Sequence, residues 1–298
     1  IAISLVVIFH ARFVTDDGFL LEGGMFGVDM FYVISGYLMT TIILNQINRD
    51  GYLSYNIFIE SRIRRIWPAY FFLLLISLII FMNGPSETTL EMKKFMQAIF
   101  SATIFQSNHF LPYRLIIYGA ESSLNMPLLH TWSISVEVQF YILFPIFLFL
   151  IWRFGQKIVF ISIIIISILS LAISEWTWRN DESANFYFLP TRIWELLAGS
   201  IASLILQKHQ LKGNDAISLL GLLAIFYAIF TYNENTPFPS IHTLVPVIGV
   251  VLLILFAKEK TIIAKLLKNK ILVGIGLISY SLYLWHQPVF SFMRHAKI

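Results

Sequence analysis

The chain has 298 residues, of which 57% are hydrophobic and 13% charged, with a mean hydropathy of +0.75. Soluble domains run nearer a quarter charged, so this composition excludes an ordinary soluble globule and points to membrane spans. The absence of cysteine excludes a disulfide framework, Cys-ligated zinc, iron–sulfur clusters and a thiol nucleophile, and a net charge of only +4 gives no reason to expect nucleic acid as a partner.

The chain opens at Ile1 inside the apolar run IAISLVVIF, with no charged leader, and stops a few residues past another apolar segment. The expectation is a membrane core clipped at both ends, not one led by a signal peptide. A spanning helix needs about 20 mostly apolar residues. Read in order, the predicted spans are 1–12, 26–45, 66–82, 131–151, 158–174, 193–206, 216–232, 244–257 and 271–290. The expected fold is an all-α polytopic transmembrane helical bundle with nine spans of a ten-helix core, its first helix truncated and its last missing.

Loop charge settles one ambiguous apolar run, 95–106, which is only about a dozen residues long against the 20 a span needs. If it does not cross, the loops 46–65, 152–157, 207–215 and 258–270 fall on one side and hold 13 of the 21 Lys and Arg residues. That side is then cytoplasmic by the positive-inside rule. If it crosses, the Lys-rich AKEKTIIAKLLKNK lands outside. The run is therefore read as an outer-surface or re-entrant helix. The outer loops, including TDDGFLLEGG, 83–130, EWTWRNDESANFYF and NENTPFPSIH, are rich in Asn, Trp, Tyr and carboxylates. Such a surface suits a sugar, and equally an interfacial aromatic belt.

Ionisable side chains inside a bilayer cost a few kcal/mol each and need a partner, water or a task. His10 lies in the first span, in VVIFHARF. A histidine facing a wet cavity can take a proton from a hydroxyl near neutral pH, or it can simply tie two helices together. Asp29 opens the second span, in GVDMFYVISGYL. His130, Ser133 and Glu137 follow at i, i+3 and i+7 on one helical face. They read as a buried polar face lining a cavity, because a hydrolase triad comes with a nucleophile elbow and seldom from adjacent turns of one helix. Arg192 and Glu195 have i, i+3 spacing and pair structurally with each other. Arg62, Arg64 and Arg65, in ESRIRRIWPAY, anchor the third span on the cytoplasmic side or grip a phosphate.

The tempting motifs fail. Gly274-x-Gly276-x-x-Ser279 lacks the third glycine and the preceding strand of a dinucleotide fingerprint. The seven histidines are scattered without H-E-x-x-H spacing, so no metal is expected. No repeat and no matched pair of broken helices supports the alternative reading, a transporter or flippase for a glycan or lipid-linked sugar.

Six stretches, LVVIFHARF, GGMFGVDMFYVISGYLMT, FIESRIRRIWPAYF, PLLHTWSISVEVQFYILFP, FYFLPTRIWELLAGS and ISYSLYLWHQPVF, lie in order between residues 5 and 290. In that order the chain resembles the acyltransferase 3 family of integral-membrane acyltransferases, with residues 1–298 forming its membrane domain. PLLHTWS after a long outer loop is similar to members carrying a C-terminal SGNH-type domain, which is not in this chain. The resemblance implies multi-pass insertion in the bilayer of the cell inner (cytoplasmic) membrane. It also implies transfer of an acyl group, usually acetyl, from cytoplasmic acyl-CoA to a hydroxyl of an extracytoplasmic carbohydrate such as O-antigen. Carried over by motif, His10 and Glu137 are the catalytic candidates and Arg62, Arg64 and Arg65 hold the acetyl-CoA donor. Asp29, Ser35, His130, Trp132 and Ser133 line the acceptor cavity, while Arg192, Glu195, Tyr283 and His286 fall in later motifs with less clear roles. Two departures stand out: the family's basic residue eleven positions before the histidine would precede Ile1, and Val138 stands where many relatives have a second Glu.

Overall fold

The computed structural model describes residues 1–15, 18–83, 89–118, 125–233 and 235–295. Asp16, Asp17 and Glu234 of the acidic outer loops, and parts of 83–130, lie outside the described residues. Among the described residues the chain is helical almost throughout. The exception is a two-residue antiparallel pairing of β1 (Val14–Thr15) with β2 (Gly18–Phe19), in the register Val14 to Phe19.

Thirteen helices follow one another among the described residues: α1 (Ala2–Ala11), α2 (Gly27–Asp50), α3 (Tyr55–Met82), α4 (Thr89–Thr103), α5 (Ser107–Tyr118), α6 (Thr131–Trp152) and α7 (Gln156–Thr177), then α8 (Glu182–Tyr187), α9 (Leu189–Lys208), α10 (Asp215–Thr231), α11 (Leu244–Phe256), α12 (Ile262–Leu267) and α13 (Lys270–His295). Their ends carry the expected chemistry. Gly51 stops α2 at φ 78°, in the left-handed region that costs glycine nothing. The side chains of Asp181, Asn214 and Thr261 accept backbone N–H groups at the starts of α8, α10 and α12.

Among the described residues, five stretches are long and apolar enough to cross a bilayer: Glu22–Asp50, Tyr55–Met82, Thr131–Trp152, Gln156–Thr177 and Glu182–Lys208. The nine predicted spans therefore divide. Ala2–Ala11, Asp215–Thr231 and Ile241–Phe256 are apolar but shorter, and α13 is long but diluted by Tyr280, Ser281, Tyr283, His286 and Gln287. The run 95–106 falls mostly within α4, whose 15 residues reach about 22 Å, short of a ~30 Å hydrocarbon core.

Burial sorts the long helices into two classes. The apolar windows of α2, α9 and α6 are 67%, 61% and 56% buried, whereas those of α3 and α7 are 28% and 22% buried. The outer helices turn isoleucines such as Ile161, Ile165 and Ile168 outward, as a lipid-facing surface demands. The buried Asp29, Glu137, Arg192 and Glu195 lie on the three inner helices.

The inner helices run in one direction. Tyr32 and Ser35 of α2 meet Ser133 and Glu137 of α6, and Thr40 and Thr41 of α2 meet Ser200 and Ser203 of α9 at 2.8 Å each. α1 lies against both α2 and α13. The tightest approach is between α2 and α9. A Cβ on Gly36 would sit 1.8 Å from the Leu196 carbonyl oxygen, and one on Gly199 would sit 1.9 Å from that of Val33. Only hydrogen fits at either position, the small-residue packing typical of membrane helices.

Candidate active site

Three histidines from three distant stretches meet at one end of the bundle. His10 closes α1, His130 precedes α6, and His286 lies in the second half of α13. The His10 and His286 rings are 5.1 Å apart and those of His130 and His286 are 5.3 Å apart. His10 Nδ1 lies 2.9 Å from the Val6 carbonyl oxygen. A carbonyl only accepts, so this nitrogen carries the proton and Nε2 is left as the basic nitrogen. The same reasoning applies to His286, whose Nδ1 lies 2.6 Å from the Tyr283 carbonyl oxygen. Its bare Nε2 faces His10 Nδ1 at 3.3 Å. His130 is 1% exposed, and neither ring nitrogen has a hydrogen-bond partner of good geometry. The Leu284 carbonyl faces that ring, because Pro288 removes the N–H that would otherwise occupy it in α13.

A polar row runs from this cluster along α6. Ser133 bonds the Tyr283 hydroxyl, and the Tyr32 hydroxyl donates to the Ser133 carbonyl at 3.2 Å. One turn further on, Glu137 accepts from the hydroxyls of Ser35 and Tyr141, which are 2.6 Å from each other. His130 and Glu137 are separated by about 10 Å along the helix axis. Beyond Glu137 stands Arg62, half-buried, its Nη1 3.7 Å from Met39 Sδ and its Nε donating to Ser61 Oγ at 3.2 Å. The fields of Arg65 and Arg62 both reach Glu137. Arg62 borders a groove of about 420 Å³ with Asn45, Gln46 and Ser61, in which the buried Gln46 Nε2 has no hydrogen-bond partner.

The sequence-predicted residues thus separate into three sets. His10, His130, Ser133, Ser35 and Glu137 are strung along one row, with Arg62 and Arg65 at its far end. Arg64 points away and pairs with Glu60 at 2.5 Å on the surface. Asp29 and Trp132, expected to line a cavity, are packed around Arg192 instead. Asp29 meets its Nη1 at 2.6 Å, Glu195 meets the same nitrogen at 3.3 Å, and all three side chains are fully buried. Phe238, Phe186 and Trp132 face the guanidinium at 4.5, 4.9 and 5.4 Å. His286 and Tyr283 complete the cluster, although motif position alone left them without a clear role. The rule that singled out His10, a titratable ring in an apolar helix, applies equally to His286 in SLYLWHQP.

Among the described residues, no group of three His, Asp or Glu side chains converges as a metal would require. What the row offers is a base at one end, hydroxyls and a carboxylate in the middle, and cations at the other. A family model described as an acyltransferase domain matches residues 1–297. The chain belongs to the acyltransferase 3 family. It is 31% identical over 294 residues to the O-acetyltransferase OatA of Staphylococcus aureus (strain NCTC 8325 / PS 47), covering 92% of this chain and 47% of that protein. It is 30% identical over 310 residues to a protein of S. aureus (strain COL) whose name proposes an O-acetyltransferase, covering 99% of this chain and 50% of that one. The chain therefore spans about half the length of the curated relatives it matches. No solved structure matches it.

Proposed function

We propose that this acyltransferase 3 domain moves an acetyl group from acyl-CoA, bound at the Arg62 end, to a carbohydrate hydroxyl admitted at the His10 end. The observation that carries the reading is the contact of His10 with His286, at the head of a polar row ending in Arg62 and Arg65. A thioester is already activated, so the protein has only to position it, supply a base and stabilise the developing oxyanion. His10 Nε2 takes the proton of the acceptor hydroxyl while its oxygen attacks the thioester carbonyl. The carbon–sulfur bond then breaks, and the thiolate leaves with the proton that His10 returns.

The donor's phosphates belong in the groove beside Arg62, since guanidinium pairs with phosphate in bidentate fashion. The thioester-bearing arm runs along α6 past Glu137, with Ser35 and Ser133 as hydrogen-bonding groups on its way. On the opposite side, a cavity of about 240 Å³ is bordered by Glu91, Lys94 and Asn125 among apolar side chains such as Phe95 and Leu129, and we assign the acceptor to it. In this reading the Arg62 end faces the cytoplasm, where the loops are Lys- and Arg-rich. The fitting location is the cytoplasmic membrane, with a cell-surface glycan as acceptor.

The test is acetyl transfer from radiolabelled acetyl-CoA to glycan by the purified chain in liposomes. His10→Ala should insert and fold normally and lose at least about a hundredfold in rate, the usual worth of a general base. Wild-type rates in that variant would remove His10 from the chemistry.

A further inference from the structure

We infer that His286 is the positioning residue of a His–His dyad, holding His10 through Nδ1 and receiving part of the charge that His10 acquires when it takes the acceptor's proton. The inference rests on the reading of His10 as the base. It is carried by hydrogen-bond polarity. His286 Nδ1 is committed as a donor to the Tyr283 carbonyl at 2.6 Å, within the same turn of α13. Its Nε2 is therefore a bare lone pair, aimed at the Nδ1 of His10 at 3.3 Å.

On the other side, His10 Nδ1–H is shared between the Val6 carbonyl and that lone pair. The first of these bonds comes from α1 itself, one turn back, and holds the ring only against its own helix. The second comes from α13 and fixes the ring relative to the rest of the site. A base oriented by a third group through its far nitrogen is the logic of nucleophile–base–orienter triads, with an imidazole in place of a carboxylate. The neutral orienter suits a buried site, because a carboxylate there would bring a charge needing its own partner.

The surroundings hold the dyad in place. Arg294 Nη2 donates to the His10 carbonyl at 2.6 Å, linking α13 to the end of α1 a second time. Gln287 Nε2 and Ser291 Oγ donate to the Met126 and Asn125 carbonyls at 3.0 and 2.6 Å, pinning this half of α13 to the segment before His130.

Two measurements on the full chain in lipid nanodiscs test the assignment. In activity assays, His286→Leu should lower kcat by about tenfold or more and leave KM for acetyl-CoA within about twofold, since no substrate contact is removed. His286→Gln, which offers an acceptor oxygen near the position of Nε2, should recover most of the loss. Equal losses in the Leu and Gln variants, or a loss confined to KM, would overturn the inference. In nitrogen NMR of histidine-labelled protein, His286 Nε2 should resonate as an unprotonated, hydrogen-bonded nitrogen and move to the free position in His10→Leu. An unmoved resonance would overturn it as well. If wild-type protein transfers nothing from acetyl-CoA, the donor reading fails, and the NMR result alone decides the dyad.

Discussion

Arg62 and Arg64 stand two residues apart on one helix in entirely different surroundings. Arg62 is half-buried beside a groove, its guanidinium near Ser61 Oγ, Met39 Sδ and the Phe58 ring. Arg64 is exposed and paired one turn back with Glu60, an arrangement that contributes little in water. Arg62→Ala should therefore raise KM for acyl-CoA by roughly tenfold, the worth of one charge-assisted hydrogen bond, whereas Arg64→Ala should stay within about twofold. Initial rates in proteoliposomes over a range of donor concentrations separate the two. The run RIRR marks all three cations equally, because helical phase where a chain enters a membrane is set by packing that the run itself does not encode. His10, by contrast, was legible at once, as a titratable ring within an unbroken apolar stretch. Its partner His286 lies 276 positions away, a pairing no local spacing reveals.

The pairing of α2 with α9 shows what a close helix contact demands. Gly36 and Gly199 let the backbones touch, and the Thr40–Ser200 and Thr41–Ser203 bonds continue the seam one turn further. Gly36→Ala forces a methyl group onto a backbone oxygen, and no rotamer relieves it. Overpacking of this kind costs about 1–3 kcal/mol or more, which should appear as a lower thermal midpoint in detergent. Two turns back along the same faces, Arg192 ties Asp29 of α2 to Glu195 of α9 with complete burial. Arg192→Met should strand both carboxylates and cost about 3–5 kcal/mol. The triple variant Asp29→Leu/Arg192→Met/Glu195→Leu should be the more stable of the two in the same assay, since it leaves no buried charge. If Arg192→Met is as stable as wild type, the triad does not hold these helices together. The i, i+3 pair of Arg192 and Glu195 was readable from spacing, but Asp29, 163 positions distant, was not. From the sequence alone Asp29 therefore reads as a cavity residue.

At the scale of the whole molecule, the nine apolar runs all lie in helices, yet among the described residues five helical stretches have the length and composition to cross by themselves. Apolar content is written in the sequence, whereas the way short helices such as α1 and α11 are supported by their neighbours is a property of the assembled bundle. The proposed orientation rests on the basic loops, and the absence of cysteine from the chain makes it directly measurable. In intact cells an impermeant maleimide should label Asn180→Cys, and should reach Lys260→Cys only after permeabilisation. The reverse pattern would invert the molecule and put the Arg62 groove outside. The proposed function moves an acetyl group along a row of side chains from one face of the membrane to the other. Its most direct test places acetyl-CoA and acceptor glycan on chosen sides of sealed vesicles of defined orientation. Acetylation should occur when acetyl-CoA bathes the Lys260 face and the glycan bathes the Asn180 face, and should vanish in His10→Ala. Equal transfer with both substrates confined to a single face, or with His10 replaced, would contradict the account.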